Sequence, residues 1–483
     1  MIAELLSPRS AAGQVVNLPT LDQPSTSPDG VPLAPAHDRR NHARSRPASS
    51  IPRVDSGSAS NRRVRSAIIQ ATAADHVAAY YFLKEVFGGP GRAEFKSTLD
   101  DPFYEPRDRL LLRRKGQIIA HAHLTHRAMQ FGPVQVPVAG LDWLGVAEHC
   151  RGQGLGTHLL TGAEKEMARF GALVGLVRTR VPQFFRRTGW ALCGRHSFCQ
   201  ANVHAVLARL SERGLRPGRH AKLHIRPWRR WEEGALVRVY NQNLANSFGP
   251  LERTLPYWQW LLRRHGFNQL YVALEGPDQW DLKETTTRIV GYIAIRGERI
   301  IELLTVPGRR KVAAELLARA CGEALEHDRH SVELHAPGSS FLMGLFDEAG
   351  GWRQNLESDH GVVYMARLLD PVGLLRLFCG EFVRRAEAAR LPRPLELGLS
   401  VEGYKYQIEV TREGASAEGE RLGRSYLRLN LADCTRLLLG QLDWDRALGE
   451  GRVVPSTALA REVGPVLFPH VPLWRPPLDD LTA

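Results

Sequence analysis

A glycine-rich turn between residues 151 and 157 carries the clearest chemical signal in the sequence. It consists of Arg151, Gly152, Gln153, Gly154, Leu155, Gly156 and Thr157. A diphosphate needs several backbone N–H donors that converge on it, and glycines let its oxygen atoms approach the chain closely. A helix that begins at such a turn adds N–H groups and a favourable dipole. The pattern therefore predicts a nucleotide-diphosphate site, to which the Arg151 side chain adds positive charge.

Two common nucleotide-binding motifs do not fit this turn. The dinucleotide fingerprint G-x-G-x-x-G has a wider final spacing, and here the third glycine comes one residue early. A Walker-type phosphate loop ends in Gly-Lys-Ser or Gly-Lys-Thr, whereas Gly156 is followed directly by Thr157. A helix-entry turn that merely contains glycines is the structural alternative to a binding site.

The elements around the turn are those that would aim it at a ligand. The interval 138–147 reads as a strand, and apolar residues repeat at helical spacing through 155–170. An uninterrupted apolar run at 172–177 then predicts a buried strand. The order strand, glycine-rich turn, helix, strand indicates a mixed α/β domain.

The pattern Arg-x-x-Gly-x-Gly between a strand and an amphipathic helix resembles motif A of the GNAT acetyltransferase superfamily. The resemblance implies that residues 151–157 bind the pyrophosphate of acetyl-coenzyme A, which would be a co-substrate. It also implies that the preceding strand meets the pantetheine arm through the backbone of Leu144 and Val146. The reaction would move an acetyl group onto an amine-bearing acceptor, a small molecule or a peptide.

Such a transfer needs an unprotonated amine, an oxyanion donor and an acid for the thiolate leaving group. An alkylamine with a pKa near 10.4 must give up about 3 pK units of proton affinity at neutral pH, or ~4 kcal/mol. Asp142, on the strand that leads to the turn, is a candidate base, although a strand-end Asp that only accepts backbone hydrogen bonds is equally compatible. In the Eis (enhanced intracellular survival) family, which the order of segments in this chain resembles, the C-terminal carboxylate acts as base, and this carries over to Ala483, with Asp479 and Asp480 close by in sequence.

One position departs from the family pattern. The family's general acid is a tyrosine on the segment after the fifth strand, and the matching position is Phe185. A phenyl ring cannot donate a proton, so either water or another group protonates the thiolate or turnover is weak. This departure supports an alternative hypothesis, a non-catalytic acyl-coenzyme A sensor or assembly protein. The chain also extends beyond Trp474, a landmark of the family's terminal domain, so it is open whether Ala483 reaches the first domain.

Two further groups of polar residues are candidates for a functional role. A local acidic run could form a rim for a cationic acceptor, or could simply be a solvated loop; it contains Asp100, Asp101, Glu105 and Asp108. His121 and His123 share one strand face like a pair of metal ligands. No third ligand is evident in the sequence, and we therefore expect no metal.

The length of 483 residues exceeds what one hydrophobic core supports, so several domains are expected. Residues 1–66 contain no Phe, Tyr or Trp and predict a disordered tail rich in Pro, Ser and Arg. Residues 67–222 make up the α/β domain with the glycine turn. Residues 223–368 look like a faded repeat in which the glycines of the turn are replaced, and residues 369–483 alternate with the period of strands and predict a small α+β domain.

This order of segments resembles the Eis (enhanced intracellular survival) family of amine and aminoglycoside acetyltransferases. The resemblance implies tandem GNAT folds, the second degenerate, and a sterol-carrier-like C-terminal domain that includes 425–431 and 472–474. The fold class expected is therefore α/β and α+β multidomain, with mixed sheets flanked by helices. No lipid function follows, because a fold does not fix a function.

Composition excludes several classes of protein. The net charge of +13 is spread along the chain and interleaved with acids, which argues against nucleic acid as a partner and fits a general attraction for polyanions such as coenzyme phosphates. No apolar run reaches the ~18 residues that a membrane helix needs. Six separated cysteines without a CxxC pair suit free thiols in a reducing cytoplasm. The assembly state is open, with a homo-oligomer as one option.

Overall fold

The structure is a computed structural model that describes residues 67–195, 198–215, 223–245, 247–264, 266–276, 288–353 and 362–480. These residues belong to one compact unit, Val64–Ala483. The tail predicted for residues 1–66 lies outside the described residues, as does Ala483. Among the described helices, none is long and apolar enough to cross a membrane.

The first sheet has eight strands in the order β1-β2-β3-β4-β5-β15-β6, with β9 paired to β3. Its strands are β1 (Ile68–Gln70), β2 (Arg109–Arg114), β3 (Gln117–Phe131), β4 (Val134–Val146), β5 (Val174–Thr179), β6 (Ala191–Arg195), β9 (Phe248–Leu251) and β15 (Val363–Leu368). Its helices are α1 (His76–Phe87), α2 (Arg92–Leu99), α3 (Leu155–Arg169) and α4 (Pro182–Arg186). Apolar residues of α1, α3 and β2 to β5 share one core, which the buried Leu83, Leu159 and Leu160 exemplify.

The second sheet has seven strands in the order β14-β7-β13-β12-β11-β10-β8. Its strands are β7 (Phe198–Asn202), β8 (Leu223–Pro227), β10 (Gln269–Glu275), β11 (Ile289–Arg296), β12 (Arg299–Thr305), β13 (Ser331–His335) and β14 (Trp352–Arg353). The helices of this part are α5 (Val203–Glu212), α6 (Glu233–Leu244), α7 (Leu255–Arg263), α8 (Arg310–Glu326) and α9 (Phe341–Glu348).

Strands cross the expected boundary at residues 222 and 223 in both directions. β15 comes from the later segment but lies between β5 and β6 of the first sheet, where Ala366 pairs with both Leu176 and Ala191. β7 comes from the earlier segment but pairs with β13 of the second sheet. The two sheets are therefore joined by exchanged strands, so neither is built from one continuous stretch of sequence.

The third sheet has five strands in the order β18-β17-β16-β19-β20. Its strands are β16 (Leu395–Val401), β17 (Tyr404–Val410), β18 (Ala415–Gly419), β19 (Tyr426–Leu429) and β20 (Val454–Pro455). Its helices are α10 (Pro371–Leu377), α11 (Cys379–Ala388), α12 (Leu431–Leu438), α13 (Trp444–Gly449) and α14 (Ala458–Leu467). The turn at Glu402 and Gly403, both with positive φ, joins β16 to β17 as the alternating pattern predicts.

Three sheets flanked by helices confirm the expected α/β and α+β multidomain class. The apolar face of β16 is buried, and the same core continues onto the first sheet through Met129 and Phe131 of β3. Burial of this extent ties the third sheet firmly to the first, because apolar area removed from water is the main stabilising term in folding.

Candidate active site

The glycine-rich turn is open to solvent. Residues 151–154 are exposed, whereas Leu155 turns into the core beneath them. Gly152 and Gly154 have φ values of 75° and 77°, in the left-handed region that favours glycine. Gly154 precedes the first residue of α3, and no described side chain caps this N-terminal end of the helix. The first N–H groups of α3 have no intrahelical partner and are therefore able to bind an anion.

Two arginines border this turn. The Nε of Arg151 donates to the carbonyl oxygen of Val146 at 3.3 Å and so connects the turn to the end of β4. Arg114, at the end of β2, donates to the side-chain oxygen of Gln153 at 3.0 Å. Arg114 was not predicted from the sequence, because it lies 39 positions before Gln153 and contacts it only through the pairing of the strands.

β4 and β5 separate beside the turn. Their parallel pairing extends from Val138 and Val174 to Leu141 and Val177, which form the last pair in the described chain. β4 nevertheless continues to Val146 and stays paired with β3 there. The edge of β4 that faced β5 is thus left without its neighbour over residues 142–146, which include Leu144 and Val146. A slender chain with amide groups could bind to this edge as a strand would.

The end of β4 departs from regular strand geometry. Trp143 has a φ of 53°, and the register between β3 and β4 shifts at this level, which is the signature of a bulge. At Gly145 a Cβ atom would lie 2.6 Å from the ring of Phe87, so a side chain there would have to displace this ring. Phe87 also packs edge-on against Trp143, with ring centroids 5.3 Å apart. The close approach to α1 fixes the direction in which β4 leaves β5.

A cavity opens at the point of separation. Its lining includes Asp142, Arg178, Tyr257, Arg475 and Asp480. Burial raises the pKa of Asp142 to about 6, and the charge of Arg475 acts in the opposite direction. A carboxyl group with a pKa near 6 is mostly ionised at neutral pH and is a better proton acceptor than an ordinary aspartate.

Comparison with known families decides the class of this domain. Residues 67–193 match the family model described as an acetyltransferase (GNAT) domain. This segment is a GNAT acetyltransferase domain. The chain that carries it is thus an acyltransferase, and coenzyme A thioesters are the donors that this class uses.

Solved structures resemble the chain well beyond this GNAT domain. A GCN5-related N-acetyltransferase from Anabaena variabilis has a TM-score of 0.66 and 16% identity, and the match covers 85% of this chain and 99% of that one. Another from Kribbella flavida has a TM-score of 0.63 and 15% identity, covering 86% and 97%. Eis1 from Mycobacterium abscessus has a TM-score of 0.60 and 16% identity, covering 85% and 99%. At such identities the likeness shows the fold, and no curated protein matches the sequence.

The C-terminal segment reaches the cavity of the GNAT domain. Asp480 accepts a hydrogen bond from the Tyr364 hydroxyl at 3.0 Å and one from Arg475 at 3.2 Å. Arg178, at the level where β5 leaves β4, lies 3.6 Å from the same carboxylate. The sequence left open whether Asp480 approaches the first domain, and the structure places it beside Asp142 in the cavity lining.

Asp479 is engaged elsewhere. Both of its oxygens accept hydrogen bonds from Arg253, at 3.0 and 2.9 Å. Arg253 also donates to both oxygens of Glu302, at 2.9 and 2.6 Å, and all three side chains are inaccessible to solvent. A carboxylate bound in this way anchors the C-terminal segment and is poorly suited to accept a proton.

The position matched to the family tyrosine lies in the hydrophobic core. Phe185 is 3% exposed and packs edge-on against Trp190, with centroids 5.6 Å apart. Its neighbour Phe184 lies instead beside the glycine-rich turn: a Cβ on Gly156 would be 3.6 Å from the Phe184 ring and 3.7 Å from Val146. Of the two phenylalanines on α4, Phe184 is the one beside the glycine-rich turn. Neither ring can supply a proton.

The acidic run is divided between buried and exposed positions. Asp101 is buried and pairs with Arg127. Asp108 is also buried, and its carboxylate accepts a hydrogen bond from the backbone N–H of Glu105 at 2.7 Å. Asp100 is exposed at the end of α2. Two of the four carboxylates are thus used in the structure of the loop.

The histidine pair is held as neutral rings inside the sheet. Burial lowers the pKa of His121 to about 3, and the charge of Arg109 acts in the same direction. Its Nε2 faces Arg109 at 3.2 Å and its Nδ1 faces the carbonyl oxygen of Trp143 at 3.1 Å, so Nδ1 donates and Nε2 accepts. Burial also lowers the pKa of His123. In the described part of the chain, no three His, Cys, Asp or Glu side chains are grouped as metal ligands.

Proposed function

We propose that this chain is an N-acetyltransferase that moves an acetyl group from acetyl-coenzyme A to a primary amine of a small molecule or peptide. The observation that carries the proposal is the separation of β4 from β5 after Leu141 and Val177, between an open glycine turn and a carboxyl group with a raised pKa. Such an opening gives a thioester access to the interior of the sheet while the turn binds the nucleotide end.

The coenzyme would bind along the end of β4 and the start of α3. Its pyrophosphate would accept hydrogen bonds from the turn, formed by Arg151, Gly152, Gln153, Gly154, Leu155, Gly156 and Thr157. The pantetheine amides would meet the backbone of Leu144 and Val146. Arg114 is hydrogen-bonded to the side chain of Gln153, and Arg151 to the carbonyl oxygen of Val146. Two positive charges would therefore lie near the phosphates without having to move.

Asp142 would act as the base. The ammonium group of the acceptor must lose its proton before nitrogen attacks the thioester carbon, and Asp142 is the carboxylate whose environment raises its proton affinity. Tyr257 lines the same cavity, and burial raises the pKa of its hydroxyl, so it stays protonated and is a candidate donor to the departing thiolate. Ala483 remains a candidate base from the family resemblance alone.

The rest of the chain fits the arrangement that the resemblance implies. We assign the second sheet to a degenerate GNAT-like domain, because Lys311 and Ala313 of α8 take the places of Gly154 and Gly156 in the overlay of the two copies. We assign the third sheet to a sterol-carrier-like domain. A cytoplasmic protein that acts without a metal, alone or as a homo-oligomer, agrees with these assignments.

The second candidate function is an acyl-coenzyme A sensor without turnover. It is favoured by one observation: the α4 side chain beside the coenzyme turn is Phe184, and the position matched to the family acid, Phe185, is buried in the core. A sensor would keep the coenzyme groove and lose the proton donor.

Two measurements separate these functions. Calorimetric titration with acetyl-coenzyme A tests the groove, and thiol release with a panel of primary amines tests turnover. The transferase predicts both binding and amine-dependent thiol release, whereas tight binding with no release from any amine supports the sensor. Asp142→Asn should keep binding and lose release, and Asp445→Asn, an exposed aspartate on α13, is the matched control.

A further inference from the structure

A second and larger cavity adjoins the one at Asp142. It has a volume of about 290 Å³ and lies among α2, α7, the β11–β12 hairpin and the C-terminal segment. Arg178 and Asp480 line both cavities. A molecule in the larger cavity would therefore contact two of the side chains that also line the cavity beside Asp142.

The lining of this larger cavity is rich in positive charge. Its arginines are Arg178, Arg264, Arg296 and Arg299, and its carboxylates are Glu94 and Asp480. Asp480 is already held by Tyr364 and Arg475. Glu94 is exposed and accepts a hydrogen bond at 3.3 Å from the backbone N–H of Gly91 at the start of α2. The cavity thus offers more positive than negative charge to a ligand.

Among the described residues, Arg264 is a buried cation without an ion pair: burial lowers its pKa, and the charges of Asp479 and Asp480 act only partly in the opposite direction. Within the described chain its guanidinium group donates to the carbonyl oxygens of Leu478 and Asp480 and lies over the Trp260 ring, 4.8 Å from the centroid. No carboxylate side chain in that part of the protein forms an ion pair with it, and its Nε is buried without a hydrogen-bond partner. A buried cation in such surroundings is costly, and an anion bound beside it removes much of that cost.

The outer part of the cavity carries two more arginines. Arg296 is exposed at the end of β11, and Arg299 begins β12 with 54% of its side chain exposed. Arg299 lies 3.3 Å from Glu333, whose carboxylate also meets the Nε2 of His335 at 2.5 Å. Arg299 is therefore paired with Glu333, while more than half of its side chain stays exposed.

We propose that the acceptor amine carries an anionic group, a carboxylate or a phosphate, at its far end, and that the arginines of this cavity bind it. The inference rests on the proposed function, since it names the substrate class of the same site. Guanidinium groups pair with carboxylate and phosphate in a bidentate manner, which would orient the amine toward Asp142.

A panel of matched amines tests this inference. The four probes are butylamine, 1,4-diaminobutane, 4-aminobutanoate and 2-aminoethyl phosphate, which differ mainly in the charge at the end away from the amine. We expect kcat/KM for the two anionic probes to exceed that of butylamine by about tenfold or more, and 1,4-diaminobutane to be poorest. The better of the two anionic probes distinguishes carboxylate from phosphate recognition.

Charge reversal identifies the residues responsible. The double variant Arg296→Glu and Arg299→Glu should abolish the preference for anionic probes over butylamine. The control is Arg412→Glu with Arg461→Glu, two exposed arginines of the C-terminal part that make the same change in net charge. If the control loses the preference as well, overall charge steers the acceptor and the cavity does not bind it.

Binding to the protein loaded with coenzyme A, which cannot react, keeps this test independent of turnover. Calorimetry should detect 4-aminobutanoate or 2-aminoethyl phosphate and not butylamine, and the signal should disappear in the Arg296→Glu, Arg299→Glu variant. Equal binding of charged and neutral probes overturns the anionic acceptor. If charged and neutral probes bind equally and neutral amines are acetylated, the transferase function stands without the anionic acceptor. If anionic probes bind selectively and no amine causes thiol release, the anion site stands and the transferase function is wrong.

Discussion

Arg253 donates two hydrogen bonds to Asp479, a residue 226 positions further along the chain, at 3.0 and 2.9 Å. This contact fixes the C-terminal segment next to the cavity of the GNAT domain. The same guanidinium group binds Glu302, which also accepts a hydrogen bond from the Tyr292 hydroxyl at 2.5 Å. The three charged groups form a buried cluster in which one arginine balances two carboxylates.

Removing Arg253 should be severely destabilising. Arg253→Met leaves two buried carboxylates next to each other, and breaking a buried ion pair from one side costs about 3–5 kcal/mol. Asp479→Asn should cost less, because the pair of Arg253 and Glu302 survives. Urea denaturation measures both, with Arg446→Met at an exposed i,i+4 pair as the control, which should leave the free energy of unfolding almost unchanged. A smaller loss for Arg253→Met than for Asp479→Asn would contradict this account.

Asp142→Asn should lower kcat about 10²–10⁴-fold, the usual contribution of a positioned base. In the unmodified protein kcat should rise with pH through a value near 6, because the carboxyl group must be ionised to accept a proton. The variant should show no such rise between pH 5 and 7. If kcat of the variant still rises with pH near 6, the rise belongs to the titration of a different group.

The same substitution should stabilise the protein. The folded pKa of Asp142, about 6, is above the ordinary value of 3.8, so the folded state favours the protonated form. The cost of ionising it develops as pH rises from about 4 to about 6 and is constant above, reaching at most about 3 kcal/mol. Asp142→Asn should therefore raise the free energy of unfolding at pH 8 and have little effect near pH 4. A loss of stability at pH 8 would show that the charged form is favoured in the folded state.

A tyrosine at position 184 should restore a proton donor, and one at position 185 should not. Phe184→Tyr puts a hydroxyl beside Gly156 and Val146, so we expect kcat to rise by about tenfold or more. Phe185→Tyr buries a hydroxyl in the core and should cost about 1–3 kcal/mol without a gain in turnover. Steady-state kinetics and thermal unfolding of the two variants show which position can carry the proton donor. Faster turnover in Phe185→Tyr alone would mean that position 185 does correspond to the family tyrosine.

Gly154→Asp should weaken coenzyme binding at least 100-fold, because the carboxylate would face the pyrophosphate at the start of α3. The positive φ of 77° adds about 1–3 kcal/mol of backbone strain. Gly403→Asp is a matched control, since Gly403 also has a positive φ, 95°, and open space for a Cβ. Calorimetric titration should show normal affinity in the control. Unchanged affinity in Gly154→Asp would mean that the turn does not bind the nucleotide.

The local elements of this protein follow from short stretches of its sequence. Glycines at 152 and 154 specify left-handed backbone before a helix, and alternating leucines from Leu395 specify a strand with one buried face. These signals are readable because each depends on residues that are neighbours along the chain. For the same reason the fold class and the GNAT character of residues 67–193 followed from short motifs.

Which residues meet at the site depends on contacts between distant segments. Arg114 reaches Gln153 through strand pairing, and Asp480 reaches the cavity of Asp142 from the other end of the chain. The exchange of β7 and β15 between sheets has no local signature, because the partner of each strand comes from a distant part of the chain. The raised pKa of Asp142 likewise depends on the desolvation that these distant segments provide. Contacts between residues hundreds of positions apart are set by how sheets and helices pack, and one sequence read in order does not encode that packing in any local pattern.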